Sequence, residues 1–282
     1  MRIDLYWLTA QTNMHVGSGD ANYGVIDNLV QRDVLTELPT IHESSLKGAL
    51  KEYCTHQVKV THSITDSKIA HKKPEIQQNF GNSDDSGNLR FYGANILTFP
   101  VRTSKAMFLH ATCPALLIDF KERLSLFGFK DLAAEISKFV EAIQGKLQRS
   151  NPIVFEKKHK EPRIEYKDFK VMEQDNISVP SIFTDLVVVH DEDAKLIVGK
   201  NKLPVIARNS LTDGKSENLW YEEIVPRQTK FYFFVQDTSI INSQYDWFKS
   251  TINGKSVQVG ANASIGQGLC KIQKFENNEN DA

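Results

Sequence analysis

Two glycine-marked stretches stand at opposite ends of this chain, and any fold must find a use for both. Near the start is His15-Val16-Gly17-Ser18-Gly19, followed by Gly24-Val25-Ile26-Asp27-Asn28 and by Ser44-Ser45-Leu46-Lys47-Gly48-Ala49-Leu50-Lys51. Near the end is Val259-Gly260-Ala261-Asn262-Ala263-Ser264-Ile265-Gly266-Gln267-Gly268-Leu269. Glycines this close together let a backbone take positive φ angles or approach a bulky anion. Two such loops in 282 residues suggest that both ends of the sequence build one surface for a polyanion.

The bulk properties narrow the classes. A 40% apolar content is enough for a real core. No stretch has the length of a membrane-spanning helix, so no membrane contact is expected. Met1-Arg2-Ile3-Asp4 leads straight into strand-like alternation, so neither a secretory nor a transit signal is expected. Cys54, Cys113 and Cys270 are widely separated and form no CxxC pair, which fits a reduced, cytoplasmic protein without structural zinc. With a net charge of −1, contact with nucleic acid must come from a local patch.

Periodicity sets out a mixed α+β chain. Ile3, Leu5 and Trp7 alternate with Arg2, Asp4 and Tyr6 as a half-buried strand ending near His15, and residues 17–43 read as a long loop. Leu46, Ala49, Leu50, Tyr53 and Cys54 predict a helix starting near Ser45 behind a Ser44-Ser45 cap and ending before Val60. Residues 61–90 are polar and turn-rich, an insertion with its tip at Asn82–Asn88. Strands are expected over Leu89–Phe99 and Lys105–Thr112, the second closed by Cys113-Pro114. A helix follows at Asp131–Gln144, its Leu132, Ile136, Phe139, Val140 and Ile143 on one face.

Beyond it lie a basic, irregular run (Lys157, Lys158, Lys160, Arg163) and a short buried strand at Leu186–Val189. Asp213-Gly214 signals a hairpin between Val205–Ser210 and Asn218–Tyr221. Strands over Lys230–Val235, Ser256–Gly260 and Leu269–Phe275 complete a single domain over 1–275 with a second insertion at about 150–215, before an acidic frayed tail at 276–282.

Each motif has an ordinary reading beside its functional one. Ser44, Ser45 and Lys47 at a helix start make a phosphate site from free N–H groups, hydroxyls and an ammonium. A plain cap with a solvated lysine accounts for the same residues, and Glu43 would repel a phosphate. The Gly260–Gly268 loop resembles a phosphate nest but has neither P-loop nor dinucleotide spacing. Asp27 in its polar loop suits cation binding or proton acceptance, though many loop aspartates only cap a turn. His15 is an acid–base candidate at a strand end, where histidine is often structural. Trp220 and Tyr221, beside Glu222 and Glu223, suit base stacking or burial. None of the 8 histidines has metal-ligand spacing.

Taken together, these motifs resemble the RAMP superfamily of CRISPR proteins, and more narrowly the repeated backbone subunit of the type III-B (Cmr) effector complex. The resemblance rests on His15–Gly19, Gly24–Asp27, Val30-Gln31-Arg32-Asp33, Leu38-Pro39, Ser44–Leu50, Phe99-Pro100-Val101-Arg102, Thr112-Cys113-Pro114, Leu219–Glu223 and the Gly260–Gly268 loop. It runs from Arg2 to about Lys274.

It implies a modified RRM-like (ferredoxin-like) core with a thumb hairpin, which falls between about 150 and 215. It implies a guide-RNA-binding subunit that lines up with further copies of itself and other Cmr subunits and cuts complementary target RNA at regular intervals. The cut would use a divalent cation, Mg²⁺, and attack by the neighbouring 2′-hydroxyl. Asp27 matches the catalytic position and would hold the metal or take the proton, with His15 and Glu222 as lesser candidates.

RNA contacts would come from Gly17, Gly19 and Arg32 near the start, and from Ser44, Ser45, Lys47 and Lys51 on the helix. Arg208 on the hairpin and Gly260, Asn262, Ser264, Gly266 and Gly268 in the last loop complete the expected RNA surface. Two positions depart from the family pattern: Glu43 stands where small residues are common, and Gly93 replaces a frequent aspartate. The alternatives are a non-catalytic guide scaffold, the equivalent type III-A subunit and a free-standing guide-processing ribonuclease.

Overall fold

The computed structural model describes residues 2–19, 24–104, 106–155, 164, 172–173, 177–213, 215–239 and 244–276. In chain order the first elements are β1 (Arg2–Ala10), β2 (Thr40–Ile41), α1 (Glu43–Thr61), α2 (Ser67–His71), α3 (Pro74–Phe80) and β3 (Leu89–Phe91). Next come β4 (Ala94–Val101), β5 (Leu109–Thr112), α4 (Pro114–Leu126), α5 (Lys130–Ile143), β6 (Ile153–Val154), β7 (Met172–Glu173), β8 (Leu186–Val188) and α6 (Asp191–Val198). The last are β9 (Val205–Thr212), β10 (Lys215–Glu223), β11 (Lys230–Asp237), α7 (Tyr245–Ile252), β12 (Ser256–Gln258), a 3₁₀ turn at Ala263–Ile265 and β13 (Leu269–Lys274).

The sequence reads as a single domain with insertions; the chain folds as two compact units. One comprises residues 1–35, 39–95 and 204–282, the other residues 36–38 and 96–203. The chain passes from the first to the second within β4. Residues 96–203 carry strands β5 to β8 and helices α4 to α6.

In the first unit β13, β1, β11 and β3 lie side by side, all antiparallel. Helix α1 connects β1 to β3, and α7 lies between β11 and β13. This is the β-α-β-β-α-β order of a ferredoxin-like core. Strand β1 pairs with β13 on one side and β11 on the other, and Leu5, Tyr6, Trp7 and Leu8 are buried in succession. The expected half-buried strand is therefore covered on both faces over these four residues. It also stops at Ala10, short of His15. Phe80, Phe91 and Phe248 join α3, β3 and α7 with ring centroids 5.3 to 5.8 Å apart, the edge-to-face and stacked contacts that aromatic cores favour.

Three loops meet at one end of this sheet because of strand register. Ala10 pairs with Cys270, and Thr9 pairs with Lys230. The segment leaving β1 therefore lies beside the segment entering β13 and the one entering β11. That register brings the two glycine stretches together.

Helix α1 starts earlier than its serines suggest. Its cap residue is His42, whose side chain makes no capping bond. The Gln31 Oε1 accepts the His42 N–H at 2.8 Å instead, so Ser44 and Ser45 lie inside the first turn. The polar stretch 61–90 folds into two short helices, α2 and α3. The strand expected over Leu89–Phe99 is broken at Tyr92-Gly93 into β3 and β4, and that over Lys105–Thr112 is confined to Leu109–Thr112. Hairpin β9–β10 forms a two-stranded sheet of its own, bridged to Asn28 at Glu222, and is exposed along most of its length. It lies at and beyond the end of the interval expected for the thumb, and its turn residue Gly214 is outside the described residues.

The second unit has a sheet in the order β4–β5–β8–β6–β7, with β5 and β8 parallel. Pro114 at the first position of α4 removes an N–H that would have no helical partner. The apolar face of α5 is buried through Leu132, Ile136, Phe139 and Ile143. The basic run Lys157–Arg163 and residues 277–282 of the tail lie outside the described residues. No helix among the described residues is long and apolar enough to cross a membrane.

The aromatic contact of α3, β3 and α7 predicts a concentrated energetic cost. Phe248→Ala should destabilise the protein by about 3–5 kcal/mol, read as a lower urea midpoint with an unchanged m-value.

Candidate nucleic-acid interface and cleavage site

His15 is buried where the three loops meet. Its Nδ1 lies 2.6 Å from the Glu223 carbonyl oxygen. A carbonyl only accepts, so Nδ1 carries a proton. The His15 carbonyl accepts the Ala261 N–H at 2.8 Å. Gly260 is required at this crossing: its φ is +84°, and a Cβ would come within 2.3 Å of the His15 oxygen. Gly268, at φ +77°, would likewise put a Cβ 2.2 Å from the Val259 oxygen. These glycines serve chain crossing.

The nest reading of the last loop changes accordingly. The N–H groups of Ala261, Ile265, Gly266, Gln267 and Gly268 all donate to backbone carbonyls of the protein. Ser264 is exposed, and the Asn262 side chain donates to Glu222 at 2.8 Å and to Gln267 at 3.1 Å.

Glu222 and Glu223 are adjacent on β10 and point to opposite faces, as strand geometry demands. Glu223 is fully buried and paired with Arg32, while its second oxygen accepts the Val30 N–H at 3.2 Å. Glu222 accepts from Trp220 Nε1 (2.8 Å), Asn28 Nδ2 (3.4 Å), Arg208 Nη1 (3.1 Å) and Asn262 Nδ2 (2.8 Å). Burial pushes its carboxyl up, but hydrogen bonds from Trp220 and Asn262 and the charges of His15 and Arg208 outweigh that and leave it low. An ionised carboxylate with four donors is a poor proton shuttle, and Glu222 ties Asn28, Arg208, Trp220 and Asn262 together. Arg32, its side chain 11% exposed, is held by Glu223. Arg208 lies on Glu222 and 5.5 Å from the Trp220 ring centroid. Both arginines expected to grip RNA have their charge met within the protein.

Asp27 is different. It is exposed, yet its loop is pinned to the hairpin on both sides of the peptide. The Asp27 and Asn28 N–H groups donate to the Tyr221 carbonyl at 3.1 Å each, and the Tyr221 N–H donates to Asp27 Oδ2 at 2.7 Å. Among the described residues, no three His, Cys, Asp or Glu side chains converge as a metal cage.

The remaining candidates fall on two sides of α1. Gly17, Ser45 and Gly260 line an open groove of about 670 Å³. Gln31 binds Gly17 and Ser45 together, its Nε2 donating to the Gly17 oxygen (3.1 Å) and the Ser45 Oγ (2.8 Å). This buried glutamine was visible only as part of a motif; nothing in periodicity marks it as the tie. Ser44 and Gly19 are exposed.

Lys47 and Lys51 lie roughly opposite the groove at 100° per residue, and Arg90 of β3 stands near them. Burial and the charges of Lys51 and Arg90 push the Lys47 ammonium below its ordinary range, the signature of clustered cations. Lys51 Nζ also donates to the Gly81 oxygen at 3.0 Å. The two departures Glu43 and Gly93 are one feature, since a Cβ on Gly93 would lie 3.0 Å from Glu43 Oε1.

Arg32→Ala strands a buried carboxylate and should cost about 3–5 kcal/mol of stability, measured by urea unfolding. The Glu222 carboxyl, lowered in the folded state, contributes stability that is present above the usual carboxylate range. That part is lost as pH falls through the lowered folded value. Glu222→Gln should therefore flatten the acid limb of stability against pH, which thermal unfolding across an acidic series would check.

A family model described as the RAMP superfamily matches residues 7–271. The chain is 27% identical to the CRISPR system Cmr endoribonuclease Cmr4 of Pyrococcus furiosus, over 96% of this chain and 95% of that one. Its fold matches a chain of the cryo-EM structure of the type III-B Cmr-beta complex bound to cognate target RNA, with TM-score 0.78, 23% identity and 97% coverage of each chain. It also matches the crystal structure of oligomeric Cmr4 from Pyrococcus furiosus, with TM-score 0.69, 24% identity and coverage of 98% of this chain and 99% of that one. The family match spans almost the whole sequence, both glycine stretches included, and this chain belongs to the RAMP superfamily.

Proposed function

We propose that this chain is a guide-RNA-binding backbone subunit of a type III-B (Cmr) CRISPR complex, and that it cuts RNA complementary to the guide at Asp27. The observation that carries the reading is the state of that carboxylate. Glu222 and Glu223 are consumed by neighbouring donors, whereas Asp27 is exposed and held in one place by Tyr221. Likeness to a named Cmr endoribonuclease over nearly the full length of both chains supports the same reading.

The chemistry follows from positioning. A target nucleotide held out of its helix can turn its 2′-hydroxyl in line with the adjacent phosphate, so much of the rate comes from geometry. Asp27 takes the 2′-hydroxyl proton as O2′ bonds to phosphorus. The bond to the 5′-oxygen breaks, water protonates that oxygen, and a cyclic phosphate and a 5′-hydroxyl remain.

Mg²⁺ suits this donor set: it is commonly held by one or two carboxylates with substrate phosphate and water, and Asp27 supplies one exposed carboxylate. Bound there, Mg²⁺ would stabilise charge on the phosphate. Guide contacts fall to Lys47, Lys51 and Arg90, and to the groove side through Ser45 and Gly17. Further copies of the chain and other Cmr subunits would share the guide.

The test is cleavage of labelled complementary RNA by complexes assembled with wild-type or Asp27→Ala subunit, in Mg²⁺ and in chelator. Wild type should cut at regular intervals and lose activity in chelator. The variant should assemble and bind but cut about 10²- to 10⁴-fold more slowly. Equal cutting by both would remove Asp27 from the chemistry, and binding without cutting by wild type would make the chain a scaffold.

A further inference from the structure

One residue of the last loop takes a left-handed backbone without being glycine. Gly260, Gly266 and Gly268 have φ between +77° and +84°, and Asn262 among them has φ +67°. Glycine meets that backbone demand at least as well as asparagine, so the reason for Asn262 lies in its side chain. The amide is half-buried with both hydrogens spent, Nδ2 lying 2.8 Å from Glu222 Oε2 and 3.1 Å from Gln267 Oε1. An ionised carboxylate only accepts, so the atom facing Glu222 is the amino group.

Glu222 divides its two oxygens between two pairs of donors. Oε2 takes Asn262 and, at 3.1 Å, Arg208. Oε1 takes Trp220 Nε1 at 2.8 Å and Asn28 Nδ2 at 3.4 Å. Asn28 follows Asp27 in the chain, and the two N–H groups share the Tyr221 carbonyl. The contact to Asn28 is the longest of the four and is the first to fail if the carboxylate turns. Arg208, long and rich in rotamers, can follow a turning carboxylate. Asn262 cannot, because its side chain is short and the Ala261 N–H fixes its loop to the His15 carbonyl at 2.8 Å.

We infer that Asn262 is a positioning residue for RNA cleavage: by fixing the Glu222 carboxylate it holds Asn28, and with Asn28 the peptide that presents Asp27. This rests on the reading of Asp27 as the cleaving carboxylate and adds a residue that acts on it only through others. A base that must meet a 2′-hydroxyl in line with its phosphate is sensitive to small shifts, and a misplacement of about 1 Å can cost about 10²-fold in rate.

The test uses complexes assembled on guide RNA with wild-type, Asn262→Gly, Glu222→Ala or doubly substituted subunit, with Asp27→Ala as the control for the chemistry. Asn262→Gly keeps the left-handed backbone and removes only the amide. Single-turnover cleavage of labelled complementary RNA is read in Mg²⁺ and target affinity in chelator, with thermal unfolding to establish that each subunit is folded. Asn262→Gly should cut about 10- to 100-fold more slowly at unchanged target affinity. Asn262→Asp has the same shape but only accepts, so it repels Glu222 and should cut at least as slowly. Adding Asn262→Gly to Glu222→Ala should cost nothing further, the non-additivity of residues that act in one line.

Wild-type cutting by Asn262→Gly or Asn262→Asp, or a loss that follows weakened target affinity, overturns the positioning role. Additive losses in the double variant overturn the route through Glu222. In each of these cases slow cutting by Asp27→Ala leaves the reading of Asp27 intact. If Asp27→Ala cuts like wild type, that reading falls and the role of Asn262 falls with it.

Discussion

The site depends on His15 more than on any other residue. Its carbonyl holds the last loop through Ala261, and its ring holds the end of the hairpin through Glu223. The neighbouring Met14 pairs in both directions with Val225. Three segments distant in sequence are thereby joined within two residues of one another. Because Nδ1 must donate to a carbonyl, the ring's orientation is set by structure, and His15 works as a joint. The same residue thus ties the last loop to the end of the hairpin.

From that joint the ordering spreads by strand alternation. Glu223 turns inward to Arg32 and Val30, and Glu222 turns to Arg208, Trp220, Asn28 and Asn262. Both carboxylates hold the hairpin against the loop carrying residues 27–32. Tyr221, just before them, then has a fixed backbone from which to hold Asp27. Buried charges bound this thoroughly are weak sources of net stability and strong sources of geometry. A surface loop thus carries a carboxylate with a defined position.

Much of this was legible in the sequence and some was not, for identifiable reasons. The paired glycine loops, the α1 stripe, the Asp213-Gly214 hairpin and the amphipathic α5 all announce themselves through local pattern. The α+β class followed from them, and Asp27 was visible through the motif around it. Helices α4, α6 and α7 were missed: Pro114 closes a strand and opens a helix at once, and α6 and α7 have only 8 residues each. The true cap of α1 was hidden because its acceptor, Gln31, lies 11 residues before His42. The pairing of Arg32 and Arg208 was hidden for the same reason, since their partners lie 191 and 14 residues away. Glu43 and Gly93 looked like two separate departures from the family pattern. In space the Glu43 carboxylate rests where a side chain at 93 would begin.

That last pair bears on how a chain of net charge −1 can hold a polyanion. Arg32 and Arg208 are paired with Glu223 and Glu222, so their charge is met within the protein. Positive charge gathers instead at Lys47, Lys51 and Arg90, where burial and the two neighbouring cations push the Lys47 ammonium down. Crowded cations raise the energy of the empty site, and an incoming phosphate relieves that repulsion. Glu43, directed toward Gly93 at the start of α1, holds its charge beside the bare glycine. An aspartate at 93 would set a second carboxylate against the first and force one of them away. One acid at that point is compatible with a cationic patch a turn further along the helix, and two would begin to cancel it.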